Sequence, residues 1–139
     1  MDPTARILVV DDDRPTVMII ERLLKKDGYD VCTAFDGKEG LQRAQAEKPD
    51  LIILDLMMPK MDGYEVCYRL KNDPDTADIA VLMLTAKGGI ENSDGQKFAA
   101  RLEDRLRGFE VGAVDFLIKP IKAKDLAKRV KALLWAGGF

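Results

Sequence analysis

At 139 residues and 15.5 kDa the chain fits one compact domain, long enough to build a core without disulfide staples or a structural metal. Hydrophobic residues at 47% and charged residues at 33% exclude disordered and low-complexity classes, and a net charge of −2 argues against a bulk electrostatic grip on nucleic acid or anionic membrane. There is no histidine, which excludes histidine-based triads, imidazole zinc sites and a phosphohistidine on this chain.

Short strand-like runs alternate with longer runs of helical period. Ile7–Val10 reads as the first strand, followed by a helix whose stripe is Val17, Ile20, Leu23 and Leu24 and which Gly28 can end. Asp30–Ala34 is the second strand, and Leu41 and Ala44 mark a shorter second helix. Leu51–Leu54 is the third strand. The helix after it, with Val66, Cys67 and Leu70 inward, has Asp62 as its candidate cap. Ile79–Leu84 is the fourth strand, and Phe98, Leu102, Leu106 and Phe109 define a fourth helix stopped at Gly112. Val114–Ile118 is the fifth strand, and Leu126, Val130, Leu133 and Leu134 define the last helix. Cys32 and Cys67 form no C-x-x-C pattern and read as small buried hydrophobes of a reducing compartment. No apolar run approaches the roughly 18 residues of a membrane span, and Met1-Asp2-Pro3-Thr4 does not open a signal peptide. A cytoplasmic protein that binds neither membrane nor nucleic acid directly is the expectation.

Five β-α units imply an α/β fold, a doubly wound five-stranded parallel sheet of order 2-1-3-4-5. In that order the winding reverses between strands 1 and 3, and ligands bind beyond their carboxyl ends. Strand 1 is followed by Asp11, Asp12 and Asp13, and strand 3 by Asp55. At least three carboxylates around one crevice repel one another. A hard divalent cation such as Mg2+, which takes oxygen ligands, is the natural compensation. One of the aspartates, Asp13, is better placed to cap the first helix, which Arg14-Pro15 would start.

Strand 4 ends in Thr85 and strand 5 in Lys119-Pro120. A hydroxyl, an ammonium and a metal at one sheet edge make an electrostatic cradle suited to a transferring phosphoryl group. Singly, Thr85 is an ordinary strand-end residue and Lys119 a surface lysine; their meaning comes from sharing that edge.

The runs Ile7-Leu8-Val9-Val10-Asp11-Asp12, Leu54-Asp55-Leu56-Met57-Met58-Pro59, Met61-Asp62-Gly63, Leu84-Thr85-Ala86 and Gly112 to Pro120, in this order over nearly the whole chain, resemble the receiver domain of two-component response regulators. The resemblance implies the flavodoxin-like receiver fold over 1–139, with a core of about 5–135. It implies Asp55 as phosphoacceptor, with Mg2+ held by Asp11, Asp12, Asp55 and the backbone carbonyl of Met57. Thr85 is then the switch hydroxyl, Phe116 the switch aromatic and Lys119 the phosphoryl-binding lysine, with a cis peptide between Lys119 and Pro120. The implied partners are a sensor histidine kinase or phosphotransfer protein and an output partner. Homodimerisation would use the surface of the fourth helix, fifth strand and fifth helix. The chain would be a signalling switch and not a dedicated enzyme, with Asp55, already ionised near neutral pH, attacking the phosphorus directly. Met57 and Lys87, each two residues beyond a site residue, flank the crevice.

Lys119 follows Thr85 by 34 positions, longer than the family's usual interval. The excess lies in about 87–100, where Gly88-Gly89 and Asn92-Ser93-Asp94-Gly95 are turn chemistry, so a surface insertion is expected. The last helix is locally basic, with Lys119, Lys122, Lys124, Lys128, Arg129 and Lys131 against Asp125. A solvated face, with cations favouring the helix C-terminus, is preferred there over a docking patch. Two other readings compete. One is a haloacid-dehalogenase-type phosphatase using Asp11 and Asp13 as nucleophile and acid; the other is a receiver-like scaffold that takes no phosphate.

Overall fold

A computed structural model describes residues 4–85 and 110–138. Five parallel strands, β1 (Arg6–Val10), β2 (Asp30–Ala34), β3 (Leu51–Asp55), β4 (Ala80–Thr85) and β5 (Asp115–Ile118), form one sheet of order β2-β1-β3-β4-β5. Among the described residues the helices with both ends visible are, in chain order, α1 (Arg14–Lys26), α2 (Gly37–Glu47), α3 (Gly63–Lys71) and, after β5, α4 (Ala123–Ala136). The doubly wound architecture is therefore the expected one. Strand bounds differ from the expected ones by at most one residue at either end. The predicted helix of Phe98, Leu102, Leu106 and Phe109 and the 87–100 insertion lie outside the described residues.

The alternation of side chains along each strand splits the core into two layers. Leu8, Val10, Ile52, Leu54, Val81, Met83 and Phe116 pack with Val66, Cys67 and Leu70 of α3. Ile7, Val9, Leu51, Ile53, Leu82, Leu84 and Leu117 pack on the opposite face with Val17, Ile20 and Leu24 of α1 and Leu126, Val130 and Leu134 of α4. All five residues of β3 are buried, as the continuously apolar run predicted for a strand covered on both faces.

Caps set where the helices begin. The Asp13 carboxylate accepts the Thr16 N–H at 3.2 Å and also the Thr16 hydroxyl, so Asp13 is the α1 cap that its position suggested. Asp62 accepts from the Glu65 N–H at 2.9 Å and caps α3. Asp36, which the sequence reading passed over, caps α2 through the Glu39 N–H. Gly28 ends α1 in the left-handed region, at φ +92°, with its N–H on the Lys25 carbonyl. Cys67 is buried, donates its thiol to the Val111 carbonyl, and has its pKa pushed up to about 11 by burial. Cys32 is only partly buried, because β2 is an edge strand.

Gly63, at the start of α3, fits where a side chain does not. A Cβ there would lie 2.5 Å from the Asp55 carbonyl oxygen and 2.9 Å from the Leu56 Cα. The close approach lets the Gly63 N–H donate to the Leu56 carbonyl at 2.9 Å and turns the chain sharply after β3. Gly63→Ala should therefore cost about 1–3 kcal/mol in urea unfolding, because backbone and not a flexible side chain must give way.

Candidate functional site: an acidic crevice at the carboxyl edge of the sheet

Strand register determines which side chains meet. Val10 is opposite Leu54 across β1 and β3, so the next step of each strand places Asp11 beside Asp55. Asp55 is opposite Leu84, and Thr85 is opposite Ile118. One row of strand ends thus carries Asp11, Asp55, Thr85 and Lys119. The Lys119 N–H donates to the Thr85 carbonyl at 2.8 Å, and the Lys119–Pro120 peptide is cis, as expected.

Within this row the polar groups are buried. Asp11 is fully shielded from solvent and Asp55 is 4% exposed. The Lys119 ammonium lies 2.9 Å from Asp11 Oδ2 and 3.3 Å from Asp55 Oδ1, so one cation bridges two carboxylates from different strands. Asp11 Oδ1 accepts the Asp13 N–H at 3.0 Å. Apart from the Lys119 ammonium, no group among the described residues donates to Asp11 Oδ2. Asp12 is exposed at the mouth, and carboxylate oxygens of Asp11, Asp12 and Asp55 all lie within 4.8 Å of one another.

Among the described residues, that arrangement leaves one ammonium facing three carboxylates. Burial, and then the neighbouring charge of Asp11, raise the Asp55 carboxyl to about 7, against the opposing pull of Lys119. Burial works against the Lys119 charge too, but its bond to Asp11 and the field of both carboxylates outweigh it, and its pKa is raised. Burial beside Asp11 thus works against the ionised form of Asp55 that the resemblance implies, and the Lys119 ammonium works for it. A buried carboxylate oxygen short of donors, in a cluster of hard oxygen ligands, fits a divalent cation.

Met57 is exposed at the rim, two residues beyond Asp55, whereas Met58 is buried beneath it. Thr85 is buried, and strand alternation puts it on the same sheet face as Val81, Met83 and Phe116. Phe116 is itself buried on that face. Lys87 lies outside the described residues. The phosphatase reading loses its pair: Asp13 is spent on capping α1, and Asp11 is enclosed and bound to Lys119. The sequence reading also gave Gly63 no structural part, although its hydrogen bond to Leu56 pins the loop that follows Asp55. The Asp-Gly pair after a strand end was its one local signal.

Residues 7–131 match the family model of the response regulator receiver domain. The chain belongs to this family. It is 46% identical over 129 residues to the DNA-binding dual master transcriptional regulator RpaA of Synechocystis sp., an alignment covering 93% of this chain and 48% of that protein. Among solved structures, the signal receiver domain of a signal transduction histidine kinase from Syntrophus aciditrophicus is 36% identical with a TM-score of 0.78, covering 96% of this chain and 92% of that one. The chemotaxis protein CheY4 of Vibrio cholerae, at 30% identity, also has a TM-score of 0.78, covering 94% and 99% of the two chains. The chain spans about half the length of the curated transcriptional regulators it matches. It is a receiver domain of the two-component type, a signalling switch, and no helix among its described residues is long and apolar enough to cross a membrane.

Removing Lys119 should expose the stress in the receiver's crevice. Lys119→Gln is expected to destabilise the metal-free protein by roughly 1–3 kcal/mol in urea titration, less than for a fully buried pair because the lysine reaches solvent. Adding Asp55→Asn should recover most of that loss. A double-mutant cycle with no coupling between the two positions would contradict this account.

Proposed function

We propose that this receiver domain, taken as residues 1–139 with a core of about 5–135, accepts a phosphoryl group on Asp55 from a histidine kinase or phosphotransfer protein. The observation that carries this reading is the convergence of Asp11, Asp12 and Asp55 with the Lys119 ammonium at one edge of the sheet. This chain has no histidine, so the phosphohistidine donor lies outside it.

Asp11, Asp12 and Asp55, with the backbone carbonyl of Met57, would hold Mg2+. Bound there, the ion would favour the ionised form of Asp55 and would offset charge on the incoming phosphoryl oxygens. The Asp55 carboxylate oxygen attacks phosphorus while the P–N bond to the donor imidazole breaks, and the electron pair leaves with the imidazole. Lys119 is placed to turn from Asp55 toward a phosphoryl oxygen. The product is an acyl phosphate, which water hydrolyses to inorganic phosphate and the free carboxylate.

Switching follows from the shared face of Thr85 and Phe116. New phosphoryl oxygens attract the Thr85 hydroxyl, and its movement changes the space next to the Phe116 ring. The shift biases the surface around β5 and α4 that, with the predicted helix before β5, would meet an output partner or a second copy. The similarity to transcriptional regulators about twice as long suggests an output domain acting on DNA, with no direct nucleic-acid contact by this chain.

Incubation with acetyl phosphate and Mg2+ should label wild type on Asp55, as read by mass spectrometry of the reduced acyl phosphate, and Asp55→Asn should lose the label. Label on another side chain, or none at all, would overturn the reading. Separately, Mg2+ alone should raise the melting temperature of wild type, because it binds the native crevice and not the unfolded chain. Asp11→Asn and Asp12→Asn should each blunt that rise.

A further inference from the structure

Lys71, the last residue of α3, is half-buried, and its ammonium donates to the Ala77 carbonyl at 3.0 Å and the Ile79 carbonyl at 2.5 Å, just ahead of β4. It forms no ion pair among the described residues, although Asp78 stands between those two carbonyls in sequence. Asp78 lines a hollow of about 230 Å3 at the amino edge of the sheet, together with Asp50 and Asp75.

The Lys71 stem crosses a second segment on its way. A Cβ on Gly112 would lie 2.6 Å from Lys71 Cγ and 3.2 and 3.3 Å from its Cδ and Cε, so the methylenes lie flat on the glycine backbone. Gly112 has φ +110°, a conformation open to glycine. One turn back on α3, the Cys67 thiol donates to the Val111 carbonyl at 3.4 Å. The end of α3 thus holds two stretches distant in sequence: residues 77–79, which lead into β4, and residues 111–112, which lead into β5.

The start of the same helix lies against the crevice, where Gly63 packs on the Asp55 carbonyl. Nine residues, about 13 Å, separate the two ends. Cys67, Leu70, Ala113 and Phe116 belong to one buried cluster, so the segment held by Lys71 is continuous with the packing around Phe116. The hold is releasable. Among the described residues two neutral acceptors and no carboxylate bind the ammonium, and burial lowers its pKa by more than the charges near it raise it. A lysine stem is flexible enough to return that charge to water. We propose that Lys71 is a positioning residue for the switch: it latches the segment entering β5 to the segment entering β4, and so sets how readily β5 and Phe116 change position. The link to phosphorylation rests on the phosphoacceptor reading, whereas the latch itself does not.

Backbone amide relaxation and amide chemical shifts of the whole chain test it. Lys71→Met keeps the stem and removes the ammonium, and Ile20→Val in α1 serves as a remote destabilised control. Order parameters at Gly112, Ala113 and Val114 are expected to fall from about 0.85 toward about 0.6 in Lys71→Met and to keep the wild-type value in Ile20→Val. Lys71→Gln, which keeps a shorter donor, should lie between. In wild type, Mg2+ with beryllofluoride as a phosphoryl mimic should move the Phe116 amide resonance. Without either addition, that resonance in Lys71→Met should already lie part of the way along the same path, as for a population shifted toward the switched arrangement. In Ile20→Val it should stay at the wild-type position. Order parameters unchanged by Lys71→Met, or equal losses in the control, would overturn the latch. A Phe116 resonance that Lys71→Met leaves in place, or moves off that path, would overturn its part in switching. A wild type unresponsive to beryllofluoride defeats the phosphoacceptor reading instead, and the order parameters still decide the latch.

Discussion

Two carboxylates buried side by side are the constraint around which this molecule is arranged. At an effective dielectric near 20, unit charges about 4 Å apart repel by roughly 4 kcal/mol, a large fraction of the stability of a domain this size. Asp11 and Asp55 are held in that relation by adjacent central strands whose apolar residues leave them no freedom to separate. Lys119 relieves part of the stress from the end of β5, two strands from β3 and three from β1. With Asp12 at the mouth, the described residues set one ammonium against three carboxylates and leave them short of positive charge. That deficit is the physical basis for reading it as a cation and phosphoryl site.

The parallel sheet makes such a concentration of charge possible. All five strands deliver their carboxyl ends to the same edge, so residues far apart in sequence converge without long loops. The apolar layers on both faces contribute the stability against which the strained edge is held. Capping by Asp13 and Asp62 and the close approach of Gly63 keep the connecting loops short beside the site. In the proposed cycle the same arrangement couples chemistry to shape, because Thr85 belongs to the crevice row and also to the sheet face that buries Phe116.

The two poles of the sheet differ in kind. The carboxyl edge gathers carboxylates that neutralise one another poorly and need a small hard cation. The amino edge spreads Asp50, Asp75 and Asp78 around a hollow that Ile79, Leu133 and Leu134 line on its apolar side.

The strands, the stripes of the four described helices, the Asp13 and Asp62 caps and the order of the sheet were legible in the sequence because each rests on a local pattern: period two or 3.6, or a short polar residue ahead of an apolar run. The candidate site was legible as well, since strand ends in a parallel sheet are neighbours by topology and the family motifs occupy four of them. Three features depended on tertiary structure. The raised pKa of Asp55 follows from its burial beside Asp11, which register and not spacing decides. The split between Arg129, paired with Asp115, and the unpaired lysines of the same helix depends on where β5 lies under α4. The cavity joins residues of β4 and α4 with the loops that precede β3 and β4, and no local pattern reports what lies across a gap in space.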